Sequence, residues 1–129
     1  MIEGLRTILA AEPRIAYALM FGSQARGRAR SDSDVDVAIG VSAPLDHREI
    51  ADLVARLESA CGRDVDLVLM NEAPPALAYR VFQHGEVVLD RDRPALVARK
   101  ARAILDYLDF KPIEDLCTRG VLAAASRGR

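Results

Sequence analysis

The apolar positions of this chain switch between two spacings, and the switches mark out its elements. Ile2, Leu5, Ile8 and Leu9 fall on one side of a helical wheel, so residues 2–11 read as a short amphipathic helix that Pro13 ends. Residues 15–21 are a continuous apolar run of strand length, which predicts a buried strand. Over residues 34–41 the period falls to two. Val35, Val37 and Ile39 take one face, and Asp34 and Asp36 take the other. Helical spacing returns with Ile50, Leu53, Val54, Leu57 and Cys61, predicting a helix over residues 46–60 with one buried face and Gly62 as its C-cap. Residues 64–70 read as a third strand, apolar enough to be central. Pro74 and Pro75 open another helix, with Leu77, Ala78, Val81 and Phe82 on its apolar side and Gly85 closing it.

The remaining pattern is a short edge strand over residues 86–90, a turn over 91–94, and a long helix over 94–108. That helix carries Val97, Ala101, Ile104, Leu105 and Leu108 in register. Phe110-Lys111-Pro112 is expected to break it, leaving a second helical stretch over 113–125 and a disordered tail over 126–129. Phe110, Ile113, Leu116, Val121 and Leu122 offer either a surface that folds back on the sheet or an apolar docking patch.

Composition narrows what such a chain does. Its 129 residues suit one domain, residues 1–129, and no repeat or linker divides them. The net charge of −1 gives no basic field for direct nucleic-acid binding. No apolar run approaches the roughly 20 residues needed to span a bilayer, and the first residues lack a signal peptide's order of charge then apolar run. Cys61 and Cys117 stand alone, without metal-ligand spacing, and read as reduced thiols of a cytoplasmic protein. His47 and His84 lack neighbouring ligands and read as surface residues.

The chemistry concentrates where the first strand ends. Gly22 has no Cβ, so backbone and a bulky anion can come close there. Ser23 can cap a short helix to about Ala29 and offers a hydroxyl to a phosphate oxygen, next to helix-start N–H groups that attract anions. Arg26, Arg28 and Arg30 follow; they can neutralise phosphates or simply balance the acids beyond. Asp34 and Asp36 then lie side by side, an arrangement that raises at least one pKa unless a cation intervenes. Magnesium takes such carboxylates together with phosphate oxygens and water. On the third strand Asp64 and Asp66 share a face, and either can supply a third carboxylate.

Together, Gly22, Ser23, Ala25, Arg26, Gly27, Ser33, Asp34 and Asp36 make the chain resemble the polymerase beta-type nucleotidyltransferase superfamily, and within it the minimal nucleotidyltransferase (MNT) domains paired with HEPN-domain proteins. The resemblance covers about residues 15–90 and is looser over 94–125. It implies an α/β (α+β) fold: a small mixed sheet with flanking helices and a C-terminal helical extension. It also implies catalytic and metal-binding roles for Asp34, Asp36 and Asp66, with Asp66 preferred to Asp64, and nucleotide binding by Gly22, Ser23, Arg26 and Ser33. The implied reaction uses ATP and two magnesium ions to place AMP on a hydroxyl, expected to be a tyrosine's, of a HEPN toxin. The chain would then be an antitoxin in a hetero-oligomer. Two other readings stay open: a non-enzymatic antitoxin that inhibits by binding, and a small-molecule transferase of the aminoglycoside type. The chain has no room for the acceptor domain such transferases carry.

Overall fold

The computed structural model describes residues 2–22 and 34–126, with side chains through Asp109. Its centre is two strands that have almost no polar side. β1 (Ile15–Phe21) and β2 (Val35–Val41) are buried along nearly their whole length and pair antiparallel. β3 (Val65–Leu69) pairs parallel with β2, and β4 (Glu86–Asp90) pairs antiparallel with β1, giving the order β3-β2-β1-β4. The sheet is therefore mixed, as expected. β4 is an edge strand as its length suggested. β3 is also an edge strand and not central. Its apolar residues are only half-buried beyond Val65: Leu67 and Leu69 pack toward one core and Val68 toward the other, but an edge strand has no neighbour along its outer side to cover them.

Each sheet face has its own core. On one, Val35, Val37 and Ile39 meet Leu5 and Leu9 of α1 (Ile2–Ala10) and Leu53 and Leu57 of α2 (His47–Cys61). On the other, Tyr17, Leu19 and Ala38 lie under Ala78 and Val81 of α3 (Pro75–His84) and Leu96 and Ala103 of α4 (Arg93–Ser126). The period-two reading of β2 is thus correct side by side. α2 is fixed at both ends. Asp46 accepts from the Glu49 N–H while the Glu49 side chain accepts from the Asp46 N–H, and Gly62 takes the left-handed conformation at φ 69°.

Two further expectations about the C-terminal third need correction. α4 runs unbroken through Phe110-Lys111-Pro112. An interior proline removes one backbone hydrogen bond, a cost of about 3 kcal/mol, and good helix formers on both sides carry the helix past it. Further, the residues expected to form its apolar face are the exposed ones: Val97, Ala101, Ile104, Leu105 and Leu108 face outward, with Leu105 60% accessible. The packed side is Leu96, Arg99, Ala103 and Tyr107. Arg99 donates to the Met70 carbonyl (2.9 Å), and the Tyr107 ring stacks on Tyr79 with centroids 4.1 Å apart.

Polar ties join the turns at the other end of the sheet from Phe21. Arg91 donates to the carbonyls of Ala10, Glu12 and Ile15, fastening the turn after β4 to the turn before β1. Arg14 sits between Glu12 and Glu49 and bonds to both. These bonds hold the Glu12 carboxyl down to about 2 and push the Arg14 guanidinium up. Glu49 is lowered as well, chiefly by its bond to Arg14.

Candidate active site

The sheet register brings the expected carboxylates together. Phe21, the last residue of β1, lies opposite Asp36, and Asp36 lies beside Asp66 on β3. All three share the face that packs against α3 and α4, since Leu19, Ala38 and Val68 belong to that core. Asp36 is half-buried, whereas Asp34 and Asp66 are exposed. Burial pushes the Asp36 carboxyl up, and the negative charges of Asp66 and then Asp34 push it further. Asp64 is not among the charges acting on Asp36; it precedes β3, and its carbonyl accepts from the Val35 N–H at 2.8 Å. Of Asp64 and Asp66, it is Asp66 that pairs beside Asp36.

Gly22 continues from β1 at φ 76°, the left-handed region that side chains disfavour. A Cβ built there would overlap Oδ2 of Asp36 and stand 3.2 Å from its Cγ. Ser23, Arg26 and Ser33 lie outside the described residues. So does the short helix expected over 23–29.

The donor set suits a hard divalent cation: oxygen ligands only, one of them held half-buried among like charges that a cation would relieve. Among the described residues no three His, Cys, Asp or Glu side chains are gathered tightly enough to hold a metal by themselves. That is compatible with magnesium, which usually takes one or two carboxylates and completes its shell with phosphate oxygens and water. Clefts of about 200 and 230 Å³ lie elsewhere, one lined by Glu12, Glu49 and Asp52 and the other by Val41 and Asn71. Neither includes Asp34, Asp36 or Asp66. Phe21 as the direct neighbour of Asp36 was missing from the sequence reading. No sequence signal fixed it, because the connection between β1 and β2 is too long for its turn chemistry to set the register.

Comparison with known proteins follows the same lines. The family model for polymerase beta nucleotidyltransferases matches residues 3–94. None of the curated protein sequences compared with the chain matches it significantly. Among solved structures, a chain of a toxin–antitoxin complex with AMP-PNP is similar at TM-score 0.83 and 23% identity, over 94% of this chain and 98% of that one. A chain from the complex of tri-AMPylated Shewanella oneidensis HEPN toxin with MNT antitoxin is similar at TM-score 0.75 and 20% identity, over 95% and 99%. A third structure, described as that of a candidate minimal nucleotidyltransferase, is 31% identical at TM-score 0.55, over 66% of this chain and 93% of that one.

Proposed function

The chain belongs to the polymerase beta nucleotidyltransferase family, and from that premise we propose that it transfers AMP from ATP to a hydroxyl group of a HEPN-domain toxin, as that toxin's antitoxin. A tyrosine is the expected acceptor, in a cytoplasmic hetero-oligomer, with residues 1–129 acting as one minimal nucleotidyltransferase domain. The observation that carries this reading is the cross-strand pair of Asp36 and Asp66, with Asp34 acting on the same charge, at the sheet end to which β1 brings Gly22.

In the proposed reaction the acceptor oxygen attacks the α-phosphorus of ATP. The bond from that phosphorus to the bridging oxygen breaks, and pyrophosphate leaves. The hydroxyl proton passes to Asp66, the exposed carboxylate beside Asp36. Asp34 and Asp36 would hold magnesium, with Asp66 completing the set. When bound, the metal neutralises phosphate charge and favours in-line displacement. Ser23 and the backbone N–H groups near Gly22 would grip the outgoing phosphates, and Arg26 and Ser33 are assigned to nucleotide binding.

An enzyme neutralises partner in excess over itself; a binding inhibitor does not. Sub-stoichiometric chain, incubated with ATP, magnesium and the HEPN protein, is expected to silence the partner's activity and leave AMP on it, detectable by mass spectrometry. Asp36→Asn is expected to abolish the transfer and keep the fold. Inhibition that stops at one-to-one and ignores ATP would overturn the reading.

A further inference from the structure

We propose that Gly22 is a positioning residue for Asp36: the volume a side chain would take there is already filled by the Asp36 carboxylate. The inference gains its catalytic meaning from the function proposed above, but its geometry stands without it. Two features of Gly22 are separable. Its φ of 76° is one, and asparagine or aspartate can also adopt that conformation. The second excludes every side chain. A Cβ would overlap Oδ2 of Asp36 and lie 3.2 Å from Cγ and 3.5 Å from Cβ of the same residue. The nearest atoms in the way belong to the Asp36 side chain, its carboxylate foremost, so relief would come from turning that carboxylate out of its rotamer.

The sheet register fixes the surroundings of that carboxylate. The carboxylate stands on the α3/α4 face between Phe21 on one neighbouring strand and Asp66 on the other. Asp36 is half-buried there, close to Gly22, and stands among the like charges of Asp66 and Asp34. The space a side chain at Gly22 would take is thus occupied by the protein's own acid. The motif's glycine acts inward, on the strand after the loop, and so sets where Asp36 presents its oxygens.

A double-mutant cycle on the full chain tests this without any assay of transfer. Gly22→Ala, Asp36→Ala and the double variant are unfolded in urea. Gly22→Ala is expected to lower the midpoint clearly in the wild-type background and much less when Asp36→Ala has removed the obstructing atoms, leaving only the conformational cost. Equal shifts in both backgrounds would overturn the proposal, since the glycine would then serve φ alone. Manganese titration is the second arm. The Gly22→Ala protein should bind the ion about tenfold or more weakly, the usual effect of disturbing what holds a ligand in place. Unchanged manganese affinity with an additive cycle would sink the idea. A wild-type protein that binds no manganese would count against the metal assignment, and the urea cycle would still decide the role of Gly22.

Discussion

α2 and α4 announce themselves in the sequence by the same sign, a stripe of apolar residues at helical spacing, and the fold uses the two stripes in opposite ways. In α2 the stripe turns inward, Leu53, Val54, Leu57 and Cys61 joining the core of Leu5 and Leu9, and a capping box and a left-handed glycine fix both ends. In α4 the stripe turns outward, and the helix is seated by a mixed face of Leu96, Arg99, Ala103 and Tyr107. Periodicity shows that a helix has an apolar side. What covers that side depends on where the preceding strand leaves the chain, and here β4 hands α4 to a sheet face already occupied by α3.

The sharpest way to break this contrast is at equivalent leucines. Leu57 is fully buried and Leu105 is 60% accessible. Leu57→Ala should cost about 2–5 kcal/mol in denaturant unfolding, as for other large-to-small core changes. Leu105→Ala should stay within about 0.5 kcal/mol. Similar losses at the two sites would mean that α4 is packed as α2 is. A smaller effect is expected at the α2 start. Asp46→Ala removes the acceptor for the Glu49 N–H and should cost about 1 kcal/mol, read as a lower urea midpoint with unchanged slope.

Acid gives the mildest test, through the ties of α2 to the α1–β1 turn. Glu12 is held at about 2 against an ordinary 4.5, and Glu49 is also lowered, both mainly by their bonds to Arg14. A carboxyl depressed in the folded state binds fewer protons there than when unfolded. Its stabilisation is therefore complete above about pH 4.5 and fades as the pH falls towards 2. Both carboxyls are partly exposed and screened by solvent, so the effect is modest. Thermal melting of Arg14→Gln should run closer to flat with pH over that window than the wild-type protein. Identical pH profiles would show that these ion pairs contribute nothing measurable.

Legibility followed the amount of local information. β1 was readable to the residue because seven consecutive apolar positions leave no other use for them. Asp34 and Asp36 were separable from Val35, Val37 and Ile39 because a strand alternates. Asp46 and Gly62 were readable because caps have chemistry of their own. Strand order was not local. The apolar composition of β3 suits a centre as well as an edge packed on both faces, and only the crossover through α2 and the position of β4 decide between them. The pairings of Phe21 and Asp66 with Asp36 come from register, which no residue type encodes alone. Gly22 was recognisable as a glycine with a purpose, but the atom it makes room for belongs to another strand.

The edge position of β3 has a consequence for handling the protein. An edge strand presents unpaired backbone groups to any other chain that can add a strand to it, and charges on short edges are a common guard against such aggregation. β3 reads Val65-Asp66-Leu67-Val68-Leu69, and Asp66 is its one charge. Neutralising it leaves a β-prone apolar segment with no charge inside it at the rim of the sheet, the kind of window that seeds intermolecular pairing. The acid that stands next to Asp36 is thus also the one charge on this edge strand, and an Asp66→Asn protein is expected to self-associate more readily than the wild type, as light scattering would show.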